Sequence, residues 1–182
     1  DLLQILSFTK KPYIITYHSD ILRQRNLEKI YNPLKHYFLN NSKRIIATSP
    51  NYFATSEILK RYSSKVDVVP IGLIEKDYKI DVNEIIEYWK KKLGSRFFLF
   101  LGAQRYYKGL NIALKAVENT NIRIVFAGAV GINLINKAKS NPNIQILGQV
   151  THKDKCALLK LCYGFIFPSN FRSEAFGIAL LE

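Results

Sequence analysis

Short apolar runs alternate with amphipathic segments along the N-terminal part of the chain. The runs are rich in β-branched and aromatic residues and predict three buried strands, at residues 12–18, 44–48 and 66–69. Residues 26–39 carry apolar side chains at helical spacing, so we expect a helix there that Pro33 kinks or divides. Ser49 followed by Pro50 is typical of a helix start, and this helix is predicted to run to about residue 62.

The pattern changes after Gly72. Residues 75–93 are charged and amphipathic and stop at Gly94, which indicates a connecting segment followed by a helix. A second alternation then predicts strands at residues 97–101, 122–127, 143–147 and 164–167. The accompanying helices are expected at residues 110–118, 132–140, 153–161 and from about Gly177 onward. Thr151 and Asp154 have the spacing of a capping box.

Strands separated by single helices are typical of parallel sheets, whose ligands bind at the carboxyl ends of the strands. The sequence therefore predicts an α/β fold with two Rossmann-like parallel sheets, both incomplete. Residues 1–72 would be the C-terminal part of an N-terminal domain, 73–94 a linker and connecting helix, and 95–182 the N-terminal part of a second domain. The chain contains no Met, and we expect it to be a fragment of a longer protein that is inactive by itself.

Composition and charge narrow the class of protein. An apolar fraction of 48% is enough for folded cores, and no apolar run approaches the roughly 18 to 20 residues that a membrane-spanning helix needs. The net charge of +13 is spread over the chain and suits an anionic membrane face, phosphate-bearing substrates or nucleic acid, or reflects only a Lys-rich proteome. Cys156 and Cys162 favour free thiols in a reducing compartment over a disulfide or a metal site.

A loop from Gly102 to Gly109 follows the predicted strand at residues 97–101 directly. Glycine permits close approach of the backbone, and Arg105 and Lys108 would place two cations just outside the carboxyl end of the strand. Binding of a diphosphate needs this combination of close backbone approach and two cations. The same sequence is also expected of a solvated loop that carries two surface cations. The loop lacks the spacing of a Walker P-loop.

The remaining candidates are a histidine and two glutamates. His18 ends the first predicted strand, where it is either structural or part of a ligand site. Glu174 and Glu182 are eight positions apart, about 12 Å on a continuous helix, whereas hydrolytic carboxylate pairs lie roughly 5 to 9.5 Å apart. The pair is therefore interpreted as gripping the two ends of an extended ligand such as a nucleotide-sugar, unless Glu182 is only a surface helix residue.

Four motifs in order resemble the family-4 retaining glycosyltransferases of the GT-B fold (glycosyl transferases group 1). The segment Glu174 to Glu182 resembles their E-x7-E motif, and the loop 102–109 resembles their diphosphate-binding loop. Residues 17–20 (Tyr-His-Ser-Asp) resemble the His-containing strand end of their N-terminal domain, and residues 69–72 (Val-Pro-Ile-Gly) resemble their interdomain linker. The family often places Arg directly after the first glycine of the loop, whereas two residues intervene here before Arg105.

The resemblance implies roles for these residues. Glu182 would bind the ribose hydroxyls of the nucleotide, and Glu174 would contact the donor sugar near the reacting carbon. Backbone amides around Phe176 and Gly177 would meet the sugar or the diphosphate. Arg105 and Lys108 would neutralise the leaving diphosphate. His18 would face the donor.

The resemblance also implies an activity. The full protein would transfer a hexose from a nucleotide-diphosphate sugar, such as a UDP- or GDP-hexose, to a hydroxyl with retention, without metal or cofactor. The acceptor would be a cell-envelope or lipid-linked glycan, and the enzyme would act in the cytoplasm, with the anionic inner face of the membrane as a docking surface. Two alternatives stay open: a GT-B enzyme that acts on a soluble sugar-phosphate or by phosphorolysis, and a basic nucleic-acid-binding module. The spread of the cations along the chain argues against nucleic acid as a partner.

Overall fold

The computed structural model describes residues 11–20, 25–171, 174 and 176–182. It confirms the predicted α/β fold with parallel sheets. The chain divides into two compact units, of which the first comprises Asp1–Gly72 with Arg172–Ile178. The second comprises Leu73–Phe171 with Ala179–Glu182.

The first unit contains a three-stranded parallel sheet in the order β1-β2-β3. Its strands are β1 (Ile14–Tyr17), β2 (Arg44–Ala47) and β3 (Val66–Val68). Its helices are α1 (Arg25–Asn41), α2 (Pro50–Thr55) and α3 (Glu57–Arg61), followed by a 3-10 turn at Ser63–Lys65. Apolar side chains from β2 and from the helices form the core of this unit: Leu39, Ile45, Ala47, Tyr52, Leu59 and Tyr62.

One helix prediction in the first unit was wrong. The helix expected from Ser49 to about residue 62 is broken at Ser56, which has an extended backbone and is fully buried. Ser56 ends α2 with its N–H on the carbonyl of Tyr52, and its hydroxyl accepts the N–H of Leu59 to start α3. One serine thus closes one helix and opens the next, which a smooth apolar periodicity does not reveal. Pro33 does not divide α1, which runs through it as one helix.

The second unit contains a four-stranded parallel sheet in the order β6-β5-β4-β7. Its strands are β4 (Phe98–Leu101), β5 (Ile124–Ala127), β6 (Ile144–Gly148) and β7 (Gly164–Phe165). Its helices are α4 (Asn83–Leu93), α5 (Leu110–Val117), α6 (Ile132–Ser140) and α7 (His152–Leu161). Short 3-10 turns lie at Glu75–Asp77, Tyr106–Lys108 and Ile178–Leu180.

The central strands of this sheet are apolar at every position because helices cover both faces. Successive residues of β4 point to opposite sides, so Leu99 packs with Trp89 and Ala157 of α4 and α7. Phe100 packs on the other side, in a cluster with Leu110 and further side chains of α5 and α6. The burial of both faces explains the continuous apolar runs that mark β4 and β5 in the sequence.

The segment predicted as a linker and connecting helix belongs to the second unit. Helix α4 contributes Trp89 and Leu93 to its core, and the indole Nε1 of Trp89 donates to Oδ1 of Asp154 at 2.9 Å. Asp154 also completes the predicted capping box with Thr151, which is confirmed in both directions. Helices α4 and α7 are thereby tied together at the start of α7.

The helix expected from about Gly177 onward is only the three-residue 3-10 turn Ile178–Leu180. Gly177 has a φ of +74°, a left-handed conformation that lies outside the helical region. The axial separation calculated for a continuous helix between the two glutamates therefore does not apply.

Candidate functional site

The strand order of the second unit creates a topological switch point beside β4. From β4 the chain builds outward through β5 to β6, and then returns to place β7 on the opposite side of β4. The loops that leave β4 and β7 therefore diverge from neighbouring strand ends. In open parallel sheets, ligands bind outside the carboxyl ends of strands at such a point. The loop after β4 is the basic segment 102–109.

Two glycines hold this loop against its neighbours by close backbone approach. Gly109 has a φ of +67°, and a Cβ added there would lie less than 3.0 Å from the carbonyl oxygen of Pro168, in the loop after β7. Gly128, which follows β5, approaches the carbonyl of Gly102 equally closely. Only glycine fits at either position, so the three strand-end loops form one packed edge.

Lys108 is half-buried at this edge, whereas Arg105 is exposed. The ammonium of Lys108 lies 5.3 Å from the ring centroid of Phe167 and 5.7 Å from that of Tyr107. Its stem passes close to Gly102, where an added Cβ would lie 3.8 Å from Cε. These aromatic contacts restrain the position of the ammonium. Arg105 directly precedes this short 3-10 turn and Lys108 ends it, so both cations lie at the switch point.

Gln104 links the basic loop to the start of α6. Its side-chain Oε1 accepts the N–H of Gly131 at 2.6 Å, and its backbone N–H donates to the carbonyl of Ala129 at 2.7 Å. Gly131 is the N-cap of α6 and has no side chain with which to cap it. Gln104, one of the two residues that separate Gly102 from Arg105, therefore braces the loop.

Glu182 also belongs to the second unit, where its carboxylate is held by two donors. Oε1 accepts from Nζ of Lys155 at 2.6 Å and from the hydroxyl of Tyr78 at 2.8 Å. The hydrogen bond to Glu182, with burial and the carboxylate charge, raises the pKa of Tyr78 above its usual value. Burial alone would lower the pKa of Lys155, but the hydrogen bond and charge of Glu182 outweigh it and raise that pKa.

The other predicted site residues lie in the first unit. His18 is exposed directly after β1, at the carboxyl end of that strand. Asp20, two residues on, accepts a hydrogen bond from the buried hydroxyl of Ser56 at 3.0 Å, which ties the strand end to the α2–α3 junction. Glu174 and Phe176 are half-buried, and Gly177 is buried with its left-handed backbone.

The residues that the structure describes contain neither a cluster of metal-ligating side chains nor a helix able to span a membrane. Within residues 11–20, 25–171, 174 and 176–182, no three His, Cys, Asp or Glu side chains are grouped so that they could hold a metal ion. Among the helices that the structure describes, none combines the length and apolar character needed to cross a membrane. Both cysteines of the described chain are free thiols.

Two solved structures share the fold of this chain. Sucrose-phosphate synthase from Thermosynechococcus elongatus matches this chain with a TM-score of 0.72 at 17% identity. The match covers 97% of this chain and 48% of the synthase chain. HepE from Anabaena, crystallised in complex with UDP and glucose, has a TM-score of 0.69 at 17% identity and covers 94% of this chain and 50% of its own. At this identity the likeness shows the fold.

The sequence comparison places the chain in a family. The family described as glycosyl transferases group 1 matches residues 81–182, and the chain belongs to it. It is 47% identical over 186 residues to the D-rhamnosyltransferase WbpZ of Pseudomonas aeruginosa. This alignment covers 100% of this chain and 49% of the relative. It is 40% identical over 186 residues to the O-antigen chain mannosyltransferase C of Escherichia coli, covering 100% of this chain and 50% of the relative. The chain thus spans about half the length of these curated relatives.

The sequence did not point to three residues of this site: Tyr78, Gln104 and Lys155. Tyr78 is separated from Glu182 by 104 positions and lies in a segment predicted to be a connection. Lys155 is one of many lysines on helices, with no spacing that marks it. The polar identity of Gln104 inside a basic glycine-bounded loop was the only available signal.

Proposed function

We propose that the full-length protein is a glycosyltransferase that moves a hexosyl group from a nucleotide-diphosphate sugar to a hydroxyl of a cell-surface polysaccharide. The observation that carries the proposal is the basic loop with Arg105 and Lys108 at the switch point of the second sheet. Family membership and the names of the relatives support the reaction class, since both relatives are hexosyl- or deoxyhexosyltransferases by name.

The diphosphate of the donor is assigned to the two cations of the loop. Negative charge grows on the leaving nucleoside diphosphate as the bond to the sugar breaks, so cations placed there stabilise the transition state more than the ground state. Lys108 is restrained by its aromatic neighbours, and Arg105 can engage phosphate oxygens with two donors. Because these cations supply the charge that a divalent metal supplies elsewhere, the reaction is proposed to be independent of metal and cofactor.

The other predicted site residues are assigned to the ribose, the diphosphate and the sugar of the donor. Glu182 binds the ribose hydroxyls, because carboxylate oxygens readily accept hydrogen bonds from hydroxyl groups. Glu174 contacts the donor sugar near the reacting carbon, and the backbone amides at Phe176 and Gly177 bind the sugar or the diphosphate. His18 faces the donor from the end of β1. We propose that transfer proceeds with retention, which NMR assignment of the anomeric configuration of the product would test.

The acceptor is proposed to be a growing or lipid-linked glycan at the cytoplasmic face of the cell membrane. The net charge of +13 supports docking on an anionic leaflet, because basic residues are attracted to such a surface. Sedimentation of the full-length protein with phosphatidylglycerol vesicles, compared with neutral vesicles, tests this part separately. Equal partition to both would contradict it.

The donor site is tested by calorimetry on the full-length protein with UDP and GDP in the presence of a chelator. Lys108→Ala and Glu182→Gln are each expected to weaken binding of the preferred nucleotide about tenfold or more, the equivalent of about 1.4 kcal/mol. Lys137→Ala is the matched control, because Lys137 is an exposed lysine in the last turn of α6. Unchanged affinity in both site variants, or loss of binding when metal is removed, would contradict the assignment.

A further inference from the structure

The carboxylate of Glu182 is anchored through one of its two oxygens. Lys155 and Tyr78 both donate to Oε1, at 2.6 and 2.8 Å. Oε2 accepts no hydrogen bond from the residues that the structure describes. A carboxylate has about four acceptor positions over its two oxygens, so anchoring Oε1 leaves Oε2 to accept a further donor.

The anchoring pair is itself held in place. The ammonium of Lys155 lies 5.3 Å from the ring centroid of Tyr78, and the ring of His152 meets that tyrosine edge-on at 5.1 Å. Nε2 of His152 lies 2.8 Å from the carbonyl oxygen of Asp77, the residue before Tyr78. Two segments that are distant in the sequence, the turn Glu75–Asp77 and the start of α7, are thereby joined around the carboxylate.

The setting differs from that of an ordinary surface ion pair. The side chains of Lys155 and Glu182 are 22% and 11% exposed, whereas the side chains of the ion pairs Arg44–Asp67, Lys60–Glu57, Lys79–Glu75 and Lys90–Glu87 are at least half exposed. Water therefore screens this pair less, and the two donors fix the direction of the carboxylate more firmly. The raised pKa values of Tyr78 and Lys155 agree with two donors that keep their protons beside this carboxylate.

We propose that Tyr78 and Lys155 are positioning residues that hold Glu182 so that its Oε2 meets a ribose hydroxyl of the donor nucleotide. This inference rests on the proposed function of Glu182. Neither residue needs to touch the nucleotide, because each acts through Oε1. Holding the carboxylate before the ligand arrives removes the cost of ordering it on binding.

A mutant and ligand cycle on the full-length protein tests the proposal. The probes are UDP and GDP, whichever binds more tightly, and the 2′,3′-dideoxy form of the same nucleotide. Wild-type protein should bind the ribose form at least tenfold more tightly. Tyr78→Phe should weaken binding of the ribose form about threefold to tenfold, and Lys155→Met about tenfold, since hydrogen bonds to charged groups have this strength. Both variants should bind the dideoxy form within twofold of wild type.

Two controls separate positioning from folding. Lys153→Met removes an exposed lysine from the same helix and should leave both affinities unchanged. Lys155→Arg keeps the charge and should recover most of the lost discrimination. Tyr78→Phe removes one hydroxyl only and keeps the ring, so it preserves the packing with His152.

The outcomes are distinguishable. If wild-type protein does not discriminate the two sugars, the ribose role of Glu182 fails, and this inference fails with it. If wild type discriminates but both variants match it, the role of Glu182 stands and the positioning role is wrong. An equal loss for ribose and dideoxy nucleotides would show a merely structural role and would also overturn the proposal.

Discussion

Replacing Gly109 by alanine should damage the second unit far more than the same change at Gly148. Gly109 has a φ of +67° and Gly148 a φ of +73°, so both substitutions force alanine into the left-handed region. That conformation costs about 1–2 kcal/mol for a residue with a Cβ. At Gly148 nothing lies within 4 Å of the added atom, so this conformational cost is the whole expected effect.

At Gly109 the added methyl group also meets the backbone of the loop after β7. It would lie less than 3.0 Å from the carbonyl oxygen of Pro168 and 3.1 Å from the Cβ of that residue. Backbone cannot rotate away as a flexible side chain does, and forcing extra atoms into a packed site typically costs another 1–3 kcal/mol, roughly. The total for Gly109→Ala is therefore about 2–5 kcal/mol, and the excess over Gly148→Ala measures the steric contact alone.

Native-state hydrogen exchange on the full-length protein measures both quantities in the relevant unit. The backbone amides of β4 report its opening free energy, because they pair with both neighbouring strands. Nucleotide affinity should fall in Gly109→Ala as well, since the contact lies beside Lys108 and the loop that restrains it. Equal destabilisation by the two variants would refute the close packing of the loops after β4 and β7.

Three further changes test the packing that supports the site, each by denaturant unfolding or hydrogen exchange of the full-length protein. Burial alone would raise the pKa of Asp154, but hydrogen bonds from Thr151 and Trp89 outweigh it and lower that pKa. Asp154→Asn should therefore lower the free energy of unfolding by about 1 kcal/mol at pH values above the usual Asp pKa of about 4. The difference from wild type should vanish as the pH falls further and Asp154 becomes protonated. Ser56→Ala should destabilise the first unit by about 1–2 kcal/mol, because the hydroxyl of Ser56 caps α3 and the residue is fully buried. Unchanged hydrogen exchange in α2 and α3 would contradict this prediction. Lys65→Met should cost about 1–3 kcal/mol, since its ammonium donates to three carbonyls at the end of α1, and an unaffected α1 would argue against those bonds.

Most elements could be predicted from the sequence because each depends on neighbouring residues. Helix α6 was predicted with the bounds that the structure shows, Ile132–Ser140, and the predicted strand ends differ from the observed ones by at most two residues. The capping box of Thr151 and Asp154 is a contact over three positions and needs no tertiary information. The division at Ser56 was missed because the apolar periodicity continues across it.

The candidate site could be predicted only in part. Arg105 and Lys108 are three positions apart on a loop after an apolar strand, so short-range pattern was sufficient to find them. The contacts of Glu182 with Tyr78 and Lys155 span 104 and 27 positions and depend on how helices and turns pack around the sheet. The brace from Gln104 to Gly131 likewise joins the loops of two adjacent strands.

The class of fold, the position of the basic loop and the identity of its cations could be read from the amino-acid sequence. These follow from local periodicity, from glycine at turns and from charged residues at strand ends. The strand order that makes β4 the switch point, and with it the loops that meet beside Lys108, became apparent only from the three-dimensional packing. The same packing holds Glu182 between Tyr78 and Lys155. The physical reason is that these features depend on which distant segments pack together, which a local pattern does not encode.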